Sequence, residues 1–161
     1  GFCLCRGLGD VYKRQPSEFD RACDLRGLIS EDAREQFKSR LRTPGEWVDH
    51  YLHFAIDRDG AVIGDVQLRR CDKTMPPGVV HIGLDVGPQY RNQGAATAAL
   101  ELSWIWAQEN SYHRLEGSTD VSNLAMKKAF ENANWSFEGI QKKLFFANGI
   151  GQDYLAFSRT L

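Results

Sequence analysis

The chain has 161 residues, 42% of them hydrophobic and 25% charged, the size and balance expected of a single globular domain with a real core. A formal net charge of −1 excludes the broad basic footprint that holds nucleic acid or an anionic membrane, so no nucleic-acid partner is expected and any polyanion must be met locally. No apolar run approaches the roughly 20 residues that a bilayer crossing needs, and no charged-then-apolar leader is visible, so no membrane partner and a cytoplasmic address are expected.

Residues 1 to 15 (GFCLCRGLGDVYKRQ) do not begin with methionine and show no clean period for helix or strand. They read as a non-native or fragment leader and are left out of the expected fold, which leaves residues 16–161 as the domain. Cysteines at 3, 5, 23 and 71 and histidines at 50, 53, 81 and 113 show no paired spacing of a metal site. No metal is expected, and the thiols read as free.

Ser30 is a candidate N-cap with Glu31 and Asp32 in the first turn, which predicts a helix over 31–41 with Ala33, Phe37 and Leu41 four apart. Thr43-Pro44-Gly45-Glu46 reads as a further turn or short helix. Two alternating apolar runs, 51–56 and 61–70, flank Asp59-Gly60, a strong hairpin signal. Cys71 to Gly78 then links the hairpin to Val79–Val86 (VVHIGLDV), a short β-branched run with the length of a buried strand.

Gly87-Pro88 ends that strand, and an alanine-rich helical run follows as far as Asn110. Between them lies Arg91-Asn92-Gln93-Gly94-Ala95-Ala96-Thr97, a series of backbone N–H groups with mostly small side chains opening into a helix. The first N–H groups of a helix have no intrahelical partner and sit at the positive end of its dipole, so the junction can hold a phosphate. Gly94 lets the backbone approach such a ligand, and Arg91 adds a charged donor. The same pattern also suits an ordinary strand–turn–helix connection. Further on, 114–119 reads as a strand, and Ser122-Asn123 caps a helix to about residue 134 with Met126, Ala129, Phe130 and Ala133 on one stripe. Runs 135–141, 144–147 and 154–158 are read as strands separated by turn residues.

Arg-x-x-Gly-x-Ala at 91–96, preceded by Ile82-Gly83-Leu84 and Pro88, resembles the acetyl-CoA signature of the GNAT superfamily of N-acetyltransferases. The run His-Ile-Gly-Leu-Asp-Val-Gly-Pro-Gln-Tyr-Arg from position 81 is most similar to the branch that acetylates ribosomal-protein N-termini, the RimJ/RimL-like enzymes. Asn92 stands where that branch usually carries a glycine, and Asn134-Trp135 replaces a usual Gly-Phe. The resemblance runs from about Ser30 to Leu161. It implies an α/β GNAT fold: a mixed, mostly antiparallel sheet with splayed central strands, flanked by helices, here with the N-terminal strand and helix missing.

The same resemblance implies acetyl-CoA as co-substrate and a primary amine as acceptor. A protein N-terminus is favoured, with a small-molecule amine or antibiotic, or a non-catalytic acyl-CoA-binding domain, as alternatives. By position, Leu84, Asp85 and Val86 would meet the pantetheine arm and residues 91–97 the pyrophosphate. Asn123 matches an asparagine near the thioester, although it also reads as a plain helix cap. Lys127 and Lys128 read as a solvated face or as contacts to the adenosine 3′-phosphate. His81, where the branch often places a glutamate, and Glu116, a family glutamate in Arg-x-Glu, are the candidate catalytic bases, since an acceptor ammonium must lose a proton before attack. Many relatives place a tyrosine, the acid for the leaving thiolate, where this chain has Phe130. Either the thiolate leaves unaided, or Tyr154 or Ser158 substitutes.

Overall fold

The computed structural model describes residues 1–5, 20, 23, 28–41 and 45–161. Seven strands form one sheet: β1 (Phe2–Cys5), β2 (Tyr51–Arg58), β3 (Ala61–Arg69), β4 (Val79–Val86), β5 (Arg114–Asp120), β6 (Ser136–Ala147) and β7 (Ile150–Thr160). Their order is β1-β2-β3-β4-β5-β7-β6. Every neighbouring pair is antiparallel except β4 and β5, which run parallel. Parallel neighbours need a crossover, and the helix α2 (Ala95–Glu109) supplies it. Two further α-helices have described bounds, α1 (Glu31–Leu41) and α3 (Leu124–Asn132), and Pro88–Tyr90 forms a single 3-10 turn ahead of α2. None of the described helices is long and apolar enough to cross a membrane.

Local chemistry accounts for most boundaries. Ser30 Oγ accepts from the Ala33 N–H at 3.1 Å, so the expected cap of α1 is made, and Phe37 is buried. Asp59 (φ 54°) and Gly60 (φ 87°) are both left-handed, as the tight β2–β3 hairpin turn requires. Along α2 the buried positions Ala95, Ala99, Ser103 and Ala107 recur every four residues. That stripe of small side chains lets the helix axis lie close to the sheet, while Leu100 and Trp104 fill the space beside it. Burying a side chain such as Leu100, Leu115 or Phe157 stabilises the fold by about 1.5–3 kcal/mol each.

Two expectations are corrected. Phe2–Cys5, placed in a leader outside the fold, is the edge strand β1, paired antiparallel with β2 from Phe2↔Arg58 to Cys5↔Ala55. Phe2 and Leu4 pack on the core while Cys3 is exposed, an alternation of only four residues that leaves almost no periodic signal. Of the helix expected to be missing with that strand, only Asp20 and Cys23 are described, both helical, and part of the turn expected at 43–46 lies outside the described residues. Finally, the two runs 135–141 and 144–147 are one strand, β6, interrupted by a bulge between Gln141 and Phe145, where Lys143 is left-handed (φ 51°). Among the cysteines, Cys3 and Cys71 are free thiols, Cys3 exposed and Cys71 half-buried.

Candidate active site

The site arises because β4 and β5 stay together for only three residue pairs, Val79↔Arg114, Val80↔Leu115 and His81↔Glu116. Past that point β4 continues along β3 as far as Val86, while β5 continues along β7 as far as Asp120. The parting leaves the inner edge of β4 without a strand partner and opens a cavity of about 490 Å³. His81, Leu84, Glu116, Asn123, Phe130 and Tyr154 all line it.

His81 and Glu116, the two candidate bases, are brought together at the point of divergence. His81 Nε2 lies 2.6 Å from Glu116 Oε2. A carboxylate only accepts, so a neutral imidazole this close carries its proton on Nε2 and turns the Nδ1 lone pair outward. Glu116 is held in turn, because Arg114 Nε donates to its Oε1 at 2.6 Å. The Arg114 fork also engages Glu138, Nη1 donating to Oε1 at 3.0 Å and Nη2 lying against Oε2. Hydrogen bonds from Arg114 and then from Ser158 hold the Glu138 carboxyl below the usual range, and the two glutamates push the Arg114 guanidinium further up.

The turn beyond β4 has the geometry of a cradle. Arg91 Nε donates to the Val86 carbonyl at 2.9 Å, and its Nη2 lies 3.8 Å from Asp85, so Arg91 ties the turn to the strand end. Gln93 is braced by Arg58, whose Nη1 donates to Gln93 Oε1 at 2.6 Å. Asn92 is left-handed (φ 58°), which explains both the glycine usual at this point and why asparagine, among the side chains that best tolerate this region, replaces it. Gly94 caps α2 with φ 84° and no side-chain hydrogen bond. The first intrahelical bond runs from the Ala98 N–H to the Gly94 carbonyl, so the N–H groups of Ala95, Ala96 and Thr97 have no helical partner. No acidic residue stands in that first turn, and a Cβ at Gly94 would project into open space. These features fit an anionic ligand.

Other expected residues fall as follows. Leu84 lines the cavity, whereas Asp85 and Val86 lie between it and the turn, with Val86 buried. Asn123 caps α3, its Oδ1 accepting from the Met126 N–H at 3.1 Å, and it also faces the cavity. The cap and the cleft readings of this residue are compatible, since its amide group keeps two donors. Lys127 reaches Glu131 one turn on, at 3.9 Å, as on a solvated face. Phe130 is 2% exposed and stacks on Phe157, 4.6 Å between centroids and 8° between planes. Of the two substitute acids, Tyr154 lines the cavity, and burial, with the charge of Asp120, pushes its phenol up. Ser158 is spent elsewhere, donating to Glu138 Oε1 at 2.6 Å. Arg69, Arg114 and Glu138 line the cavity as well, and the sequence reading missed all three. Arg69 stands directly across from His81 on β3, a position legible from the strand pairing alone.

Solved structures share this architecture. The chain superposes on ribosomal-protein-S5-alanine acetyltransferase from Vibrio fischeri with a TM-score of 0.62 and 20% identity over 70% of its own length, spanning 62% of that protein. Over 99% of its length it matches the microcin C7 self-immunity acetyltransferase MccE, crystallised with acetyl-CoA and AMP, at a TM-score of 0.76 and 15% identity, covering 92% of that chain. A chimera of the spermidine N-acetyltransferase SpeG from Vibrio cholerae and hSSAT matches equally well, with a TM-score of 0.76, 16% identity, and 99% and 94% coverage. No curated protein is significantly similar in sequence. The sequence pattern of the acetyltransferase (GNAT) domain matches residues 13–135, which is most of the chain and contains the splayed strands and the turn, so the chain belongs to the GNAT acetyltransferase domain family.

Proposed function

We propose that this protein is an acetyl-CoA-dependent N-acetyltransferase that acetylates a primary amine, most naturally a protein N-terminus, by direct attack in a ternary complex. The observation that carries the reading is the cleft between β4 and β5, with the His81–Glu116 pair at its base and the Gly94 turn beyond the end of β4. The N–H groups of Ala95, Ala96 and Thr97 would take the pyrophosphate, and the unpaired edge of β4 around Leu84 the pantetheine arm. Acetyl-CoA brings an activated acyl group and a thiol leaving group.

The chain's own residues supply proton handling. Nδ1 of His81 removes the proton of the acceptor ammonium, directly or through one water, and Glu116 stabilises the imidazolium that forms. Tyr154, with its phenol held protonated, is the donor available to the departing thiolate. Phe130 has no proton to give.

A small amine is the second reading, supported by two of three neighbours matched over 99% of the chain, which are named for microcin immunity and for spermidine; the third is named for ribosomal-protein-serine acetylation. The test incubates the protein and acetyl-CoA with a peptide bearing a free N-terminus, the same peptide blocked, and spermidine, and reads free thiol. Thiol release with the free peptide alone supports the proposal. Release with spermidine alone supports the second reading, and tight acetyl-CoA binding without release from any amine would make this a binding domain.

A further inference from the structure

The site contains a second carboxylate whose placement needs a deliberate backbone irregularity. In the β6–β7 ladder Phe137 stands opposite Phe157 and Gly139 opposite Ala156, so Glu138 is an extra residue with no cross-strand partner. Bulges of this kind re-aim one side chain, and Gly139, at φ 141°, takes up the irregularity with a backbone conformation that side-chain-bearing residues rarely adopt. The carboxylate so delivered receives both arms of the Arg114 fork and the hydroxyl of the buried Ser158. With both Nη atoms engaged by Glu138, only Nε of Arg114 faces Glu116, and Glu116 keeps its second oxygen for His81. A chain of contacts thus runs from Ser158 on β7 through Glu138, Arg114 and Glu116 to His81 on β4.

We infer that Glu138, presented by the β6 bulge, is a positioning residue that orients Arg114 and through it holds Glu116 against His81. The inference rests on the proposed roles of His81 and Glu116. Glu138 does not carry a proton in the reaction. It prevents the guanidinium from turning its fork onto Glu116, a bidentate arrangement that would take up both carboxylate oxygens and release the imidazole. A glutamine at this place offers one acceptor and one donor, so it cannot satisfy two parallel guanidinium donors.

The experiment compares wild type, Glu138→Gln and Arg114→Lys by imidazole 15N shifts of neutral His81, and by kcat and KM with the best amine. Lysine has no fork and cannot engage both glutamates in this geometry. Wild type should show one tautomer, with the proton on Nε2, and both variants a mixture. In both, kcat should fall on the order of tenfold, with KM for acetyl-CoA unchanged. A single Nε2–H tautomer and full kcat in Glu138→Gln would overturn the inference, and so would a tautomer change confined to Arg114→Lys. Should the wild type turn over no amine, the proposed function fails, and the tautomer comparison still decides whether Glu138 controls His81.

Discussion

Gly117 and Phe130 share a space too small for one methyl group: a Cβ added at Gly117 would lie 2.9 Å from Cζ of Phe130 and 3.1 Å from Cγ2 of Ile82. The ring of Phe130 is already fixed on its other side by Phe157 and by Trp135, 5.1 Å away between centroids. Gly117→Ala should therefore destabilise the domain by about 1–3 kcal/mol, the usual scale for overpacking. Denaturant unfolding of the variant measures it, and an unchanged midpoint would mean that α3 can move off β5.

Phe130 both packs the core and lines the cleft. Phe130→Ala should lose about 3–5 kcal/mol, as for other fully buried rings. Phe130→Tyr should fold and turn over at least as fast as wild type, because it restores a donor at the place where relatives carry one. Melting temperature and single-turnover rate, taken together, check this pair. A tyrosine variant that unfolds would show the ring tip to be sealed from the cleft.

Gly94→Glu places bulk and negative charge in the open space beside the turn, where the proposed pyrophosphate would sit. Its φ of 84° also makes any side chain there strained, by roughly 1–2 kcal/mol, so the measurement must separate binding from folding. Calorimetric titration of the folded variant should show acetyl-CoA affinity reduced at least tenfold. Unchanged affinity would place the pyrophosphate elsewhere.

The Glu138 carboxyl is held low chiefly by Arg114 and then by Ser158. A carboxyl depressed in the folded state contributes stability above the ordinary glutamate value of about 4.3, and that contribution is lost as the pH falls through the folded-state value. The melting-temperature gap between wild type and Glu138→Gln should thus be full near neutral pH and close in acid. A gap that persists in acid would show that the variant disturbs packing instead of charge.

The parts of this fold written in strong local signals were legible beforehand. Asp59-Gly60 announces its hairpin, Ser30 and Asn123 announce their caps, and the junction from Val79 through Gly94 to the alanine-rich helix announces its strand, turn and helix. His81 and Glu116 could be named separately, yet their contact depends on the parallel register of β4 and β5, which no local pattern encodes. Asn92 and Asn134 looked like departures from the family's glycines. Both are left-handed, at φ 58° and 59°, so the substitutions keep the backbone that those glycines serve. Four residues of β1 are too few to show a period, and Glu138 owes its place to a bulge. Such features follow from tertiary pairing and stay hidden until the sheet is assembled.

His81 and Glu116, joined where β4 and β5 part, are proposed to activate an amine for attack on acetyl-CoA. The most direct measurement is turnover of wild type, His81→Ala, Glu116→Ala and the double variant with one primary amine, alongside their acetyl-CoA affinities. Turnover should fall on the order of 10² or more in each single variant, with little further loss in the double and unchanged affinity. Equal turnover in all four proteins would contradict the account, because it would mean that the amine arrives deprotonated and needs neither residue.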